Sequence, residues 1–208
     1  MEEQSIRLRP LERPPSDSIE RVILRRGSTR RFLRDQIEFE QLSTIVAAMR
    51  EPIPCDFLAA DRAINDAYLI VNAVDRLTSG AYVFDGKTQE LLLLKAGNFR
   101  ADAAYLCLEQ PLLGQAAAVV FLMADLGAVT ESLGPRGYRA ALLEAGILGG
   151  WFYLGAYGLK LGATGSTFYD DEVTAFFSPH ARGKSPMLAI GIGKDARRFR
   201  PPPATGSG

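Results

Sequence analysis

The 208-residue chain offers little for acid–base or nucleophilic chemistry, and that scarcity limits its function. His180 is the sole histidine. Metal hydrolysis built on imidazoles is therefore excluded, as is any Ser-His-Asp arrangement not centred on that residue. It lies in FFSPHARGKS, a loop-like stretch where a lone histidine is expected to serve surface or packing roles. HARGKS lacks the first glycine of a phosphate loop. Cys55 and Cys107 stand 52 positions apart without metal-ligand spacing, which points to a reduced compartment and to no metal site. Asp170-Asp171 is the carboxylate pair that stands out, and a helix start explains it. A chain so poor in acids, bases and ligands is expected to draw its chemistry from a bound cofactor.

The cations suggest where such a cofactor would be held. Arg25, Arg26, Arg30 and Arg31 fall within seven positions, with Ser28 and Thr29 between them. Lys194, Arg197, Arg198 and Arg200 form a second group near the C-terminus. Arginine forks and hydroxyls can hold a phosphate, although cations at a helix C-terminus also serve solubility alone. Acids and bases balance at 24 each, so neither nucleic acid nor an anionic membrane is an expected partner. The start, MEEQSIRLRP, has no apolar core segment. No secretory signal is expected, and a cytoplasmic location is the default.

The elements that must position these groups centre on residues 138–165, YRAALLEAGILGGWFYLGAYGLKLGATG. Between Ala145 and Leu159 no residue is charged, yet five are glycine: Gly146, Gly149, Gly150, Gly155 and Gly158. Glycine costs a helix interior about 1 kcal/mol relative to alanine, so a close approach by another helix or a flat ligand is expected. The run falls short of the roughly 20 residues that span a bilayer, so a buried central helix over about 138–160 is the reading. Residues 1–17 read as an arm, and a short helix follows from about Ser18. A second helix over 38–50 follows from Phe39, Leu42, Ile45, Val46 and Met49 at helical spacing. AYLIVNAV reads as a strand, and SGAYVFDGKTQELLLLK as two strands around a turn, with Asp85-Gly86 as a two-residue hairpin signal. A helix over 99–108, a strand over 116–124, a short helix from Asp170 and a final strand over 186–193 complete the set. The order predicts an α+β fold with a largely antiparallel sheet: one domain over 18–200 and a disordered tail over 201–208.

Together, RRGSTRRF, DAYLIVNAV, YRAALLEAGILGG, GLKLGATG and PMLAIGIGK resemble the nitroreductase-like FMN-dependent oxidoreductase superfamily, and more narrowly its SagB-type dehydrogenase branch. The similarity covers roughly residues 18–195. It implies a homodimer whose four- or five-stranded, mostly antiparallel sheet is wrapped by helices, with FMN at the subunit interface. By that resemblance Arg26, Ser28 and Arg30 contact the FMN phosphate, ribityl chain and pyrimidine end, and Gly27 contributes backbone. Ala163, Thr164, Gly165 and Ser166 match the loop beside the isoalloxazine and its N5. Lys194, with Arg197, matches a C-terminal cation reaching the phosphate.

Two segments depart from the branch. Its flavin-contacting P-S-G-G or P-S-x-N segment is replaced by EPIPCDFLAADRAIND, and the Lys-Tyr pair of azoline-oxidising members by Ser132 and Leu133. Tyr138, Arg139 and Tyr169 are the candidate catalytic substitutes. The resemblance implies hydride transfer at flavin N5, dehydrogenating a peptide-derived or other small natural product. The alternatives are an NAD(P)H-dependent reductase of nitro, quinone or enone substrates, and a degenerate flavin-fold scaffold.

Overall fold

The computed structural model of the chain describes residues 5–13, 15, 17–55 and 63–197. Strand β1 (Ser5–Arg7) is followed by helices α1 (Ile19–Arg25) and α2 (Phe39–Ala47). Next come strands β2 (Asn65–Val71), β3 (Gly80–Asp85) and β4 (Glu90–Ala96), then helices α3 (Arg100–Leu106) and α4 (Pro111–Gln115). Strand β5 (Ala118–Ala124) leads to helices α5 (Leu126–Leu133) and α6 (Gly137–Gly158). Strand β6 (Gly162–Ser166), helix α7 (Asp170–Phe177) and strand β7 (Ser185–Gly193) complete the described strands and α-helices.

All seven strands join one antiparallel sheet in the order β1-β4-β3-β2-β5-β7-β6. Side chains alternate across it, and both faces are covered. Leu69, Val71, Tyr82, Val120, Leu122 and Ile190 pack toward α2 and α6, whereas Tyr68, Ile70, Val83, Phe121 and Ala189 pack toward α3 and α7. That double burial explains why β5 reads as an unbroken apolar run.

The expected antiparallel α+β architecture is present, but the sheet has seven strands instead of four or five. Both extra strands carry weak signals. β1 lies in the segment read as an arm and is held by pairing Ser5–Arg7 with Leu92–Glu90. β6 has the sequence GATGS, too small and glycine-rich to register as a strand, and it exists because β7 offers it a ladder from Gly162↔Gly193 to Ser166↔Ala189. Helices α4 and α5 were likewise not expected. The β3–β4 hairpin forms where expected, but its loop is four residues long. Asp85 pairs with Glu90, Asp85 Oδ1 accepts the Lys87 N–H, and the left-handed residue is Gln89 (φ 60°), not Gly86.

Of the five glycines in the uncharged run of α6, Gly149 lies against the sheet, where a Cβ would come within 2.5 Å of Leu188 Cδ2. Gly155 lies against Ile45 of α2. Gly146 and Gly150 meet nothing within 4 Å. Beside them the face of α6 is apolar and open, with Tyr138 49%, Leu142 39% and Leu143 55% exposed. Among the described residues no helix is long and apolar enough to cross a membrane. Residues 56–62 of the EPIPCDFLAADRAIND segment, Arg198, Arg200 and the 201–208 tail lie outside the described residues.

Candidate flavin site

Three segments far apart in sequence converge at the β6 edge of the sheet. After α1 ends at Arg25, the chain is extended at Arg26 (φ −64°, ψ 148°) and runs along β6, where the Thr29 N–H donates to the Ala163 carbonyl at 2.9 Å. It then crosses to the residues after β7. Leu33 N–H donates to the Lys194 carbonyl at 2.9 Å and Ala196 N–H to the Arg31 carbonyl at 3.0 Å, around an antiparallel bridge between Phe32 and Asp195. Residues 26–33, 162–166 and 193–197 therefore form one cradle. The first basic cluster and, of the second, Lys194 and Arg197 flank it, although the two groups lie more than 160 positions apart in sequence.

The floor of the cradle is Thr29. It is fully buried, with Oγ1 3.3 Å from the Tyr157 hydroxyl and donating to Asp195 Oδ2 at 3.3 Å. Asp195 is itself buried, and a buried carboxylate needs partners. It accepts the Arg197 backbone N–H at 2.9 Å, and the Arg197 guanidinium lies 3.5 Å from Oδ2. Gly162 is required here because a Cβ would stand 2.2 Å from Thr29 Oγ1 and 3.0 Å from the Asp195 Cβ.

The rim carries exposed polar groups, some free and some hydrogen-bonded. Arg26, Ser28 and Arg30 are exposed, and among the described residues neither guanidinium makes a hydrogen bond or ion pair. Gly27 has open space on its Cα side, with nothing within 4 Å of a built Cβ. Gly165 is exposed, and its N–H donates to the Tyr153 hydroxyl at 2.5 Å. The same phenol lies 3.5 Å from Ser28 Oγ, so Tyr153 links the arginine segment to β6. Ser166 Oγ accepts from Gln110 Nε2 at 3.0 Å and donates to the Thr167 carbonyl at 2.8 Å. Cys107 is buried nearby, and burial pushes its thiol up to about 12, which makes it a poor nucleophile.

Of the residues singled out in the sequence, Arg26, Gly27, Ser28, Arg30, Ala163, Thr164, Gly165, Ser166, Lys194 and Arg197 are brought to this cradle. Ala163 and Thr164 are buried and contribute strand backbone. Tyr169 lies three residues past β6, where its phenol donates to Glu109 Oε2 at 2.8 Å. That carboxylate raises the Tyr169 pKa above the ordinary phenol value. Tyr138 and Arg139 are not brought to the cradle within the chain. They are exposed at the N-terminal end of α6, on the order of 20 Å along the axis from Tyr153.

Tyr153, Tyr157, Asp195 and Gln110 were missed as site residues, and Thr29, expected as a hydroxyl for a phosphate, is instead buried in the floor. The i, i+4 spacing of the two tyrosines in an otherwise apolar helix was the available signal. His180 lies elsewhere, with Nδ1 2.9 Å from the Tyr68 hydroxyl, in keeping with a packing role.

The nitroreductase family model matches residues 23–194. The chain belongs to the nitroreductase family. Comparison with curated proteins gives no sequence match. Among solved structures, a candidate nitroreductase from Anabaena variabilis superposes with TM-score 0.82 at 26% identity, covering 92% of this chain. The present chain spans only 42% of that protein's length. An FMN-dependent nitroreductase from Clostridium difficile gives TM-score 0.57 at 15% identity, over 84% of this chain and 86% of that one. A chain of the E. coli microcin synthetase complex McbBCD, solved with truncated pro-MccB17 bound, gives 0.67 at 16%, over 93% and 79%. The last two similarities establish a shared fold alone.

Proposed function

We propose that the chain is an FMN-dependent oxidoreductase of SagB type that dehydrogenates a peptide-derived or other small natural product. The observation that carries this reading is the pair of exposed guanidiniums, Arg26 and Arg30, without partners among the described residues and set beside the Gly165 backbone edge. The donor set fits the cofactor. Two arginine forks and the Ser28 hydroxyl suit a phosphate, and the glycine edge of β6 leaves room for a flat ring to approach backbone. When bound, FMN would supply a two-electron acceptor for hydride.

The residues of the chain do the rest. Arg26, Ser28 and Arg30 would hold the FMN phosphate, ribityl chain and pyrimidine end, with Lys194 contributing charge at the phosphate. Arg197 is engaged with Asp195, so its part is to neutralise that buried carboxylate and fix the cradle. Tyr153 sets the position of Gly165 relative to Ser28. Cations beside the bound ring would favour its reduced form.

The unpartnered stripe of α6, with open Gly146 and Gly150 among Leu142 and Leu143, supports a homodimer in which this face meets its symmetry mate. Tyr138 and Arg139 lie on that same helix end and would then serve the partner's site.

A second reading, an NAD(P)H-dependent reductase of nitro, quinone or enone compounds, is favoured by one observation. Ser132 and Leu133 of α5 supply no general base where azoline-oxidising relatives carry Lys-Tyr. A visible spectrum and an FMN titration test the flavin itself. A colourless protein that takes up no FMN rejects both readings. Anaerobic bleaching of the flavin band by NAD(P)H favours the reductase, and its absence favours the dehydrogenase.

A further inference from the structure

Between α3 and α4 the backbone passes through two consecutive left-handed residues, neither of them glycine: Leu108 (φ 57°) and Glu109 (φ 51°). Side chains with a Cβ disfavour this region, and such residues persist where surrounding contacts hold them, often at ligand sites. Here the contacts run to the connection between β6 and α7. The Leu106 carbonyl accepts the Tyr169 N–H at 3.0 Å, Gln110 Nε2 donates to Ser166 Oγ at 3.0 Å, and the Tyr169 phenol donates to Glu109 Oε2 at 2.8 Å. The Tyr105 ring lies 5.5 Å from that of Tyr169, tilted by 43°.

The product is an exposed carboxylate beside two phenol rings, at the Ser166 end of the cradle. Tyr105 is 45% and Leu108 37% exposed, and Glu109 is exposed too. Among the described residues no cation pairs with Glu109. Aromatic faces and an uncompensated carboxylate attract the same chemical group, an organic cation.

We propose that Tyr105, Glu109 and Tyr169 form a recognition subsite for an ammonium group carried on a flat or aromatic body. The subsite selects and orients substrate. What it serves rests on the flavin reading, whereas its ligand preference does not. A cationic substrate is attracted to Glu109, which sets its ammonium end at the Ser166 side of the cradle. Tyr169 holds the Glu109 carboxylate in place, and the left-handed turn presents it outward.

The test is calorimetric titration of the full chain, with and without FMN, using tryptamine and its acidic counterpart indole-3-acetate. Tryptamine is expected to bind about tenfold more tightly than indole-3-acetate at low salt, with Y105A weakening it by about fivefold. E109Q should abolish the discrimination between the two probes. Glu109 is exposed and Gln is isosteric, so that variant folds. Equal tryptamine affinity in wild type and E109Q, or no tryptamine binding, overturns the subsite. A protein that takes up FMN but ignores tryptamine rejects the subsite alone. One that takes up no FMN yet binds tryptamine through Glu109 supports it and rejects the flavin reading.

Discussion

The hydroxyl of Tyr153 accepts the backbone N–H of Gly165 at 2.5 Å, joining the middle of α6 to the edge strand of the sheet. One turn further along, the buried Tyr157 hydroxyl lies 3.3 Å from Thr29 Oγ1. Two phenols on one helix therefore hold the two walls of the cradle, residues 26–30 and 162–166, in register. Y153F and Y157F should each fold and lower unfolding free energy by about 1 kcal/mol, the usual net worth of one hydrogen bond. Urea melts measure this. FMN titration of Y153F should show weaker binding, because the phenol that fixes Gly165 against Ser28 is gone.

Gly162 touches the same cradle from below. G162A places a methyl 2.2 Å from Thr29 Oγ1, and overpacking of this kind costs about 1–3 kcal/mol. The melting temperature should fall, and T29A in the same chain should restore part of the loss. Strict additivity of the two changes would show that the contact is not the cause.

Glu144 is buried on α6 and satisfies the start of β2. Its carboxylate accepts from Ile64 N–H at 3.0 Å, and from Asn65 N–H and Nδ2 at 2.7 Å each. E144Q replaces one acceptor oxygen with a donor facing donors, and about 1–3 kcal/mol of stability should be lost. Chemical denaturation reads the loss directly. Hydrogen exchange at the amides of residues 64 and 65 should accelerate along with it.

Asp17 contributes to the pH dependence of stability. Hydrogen bonds from Lys160 and Arg25 hold its carboxyl at about 2, against an ordinary 3.8. A carboxyl whose pKa is lower in the folded chain stabilises it above the unfolded value, and that stabilisation is lost as pH falls through the folded one. Thermal melts should therefore lose stability between about pH 4 and pH 2. D17N should flatten that part of the profile and leave the region above pH 5 parallel to wild type.

Legibility tracked how far each feature depends on local pattern. Helix α2 was readable because Phe39, Leu42, Ile45 and Val46 repeat at helical spacing, and all four are buried. β5 was readable because every residue of AVVFLMA is apolar and buried. β6 was not, because GATGS carries no pattern and takes its strand form from β7. The Asp85-Gly86 signal marked the hairpin correctly and misjudged its loop, because the Asp85–Glu90 pairing sets the length at four. In the cradle, the arginines and the GATG segment were legible as residue types. The floor formed by Thr29, Tyr157 and Asp195 was not, since its hydrogen bonds join residues 128 and 166 positions apart.

The sequence by itself determined the class of fold, the family resemblance and the poverty of acid–base groups, because hydrophobic period, glycine placement and residue counts are local quantities. Only the tertiary structure decided that residues 26–30, 162–166 and 193–197 share one edge, that Arg197 is committed to Asp195 while Arg26 and Arg30 make no ion pair among the described residues, and that Tyr138 stands away from the cradle. The physical reason is that strand pairing and burial join residues by distance in space. A hydrogen bond from Thr29 to Ala163 leaves no trace in either segment read alone.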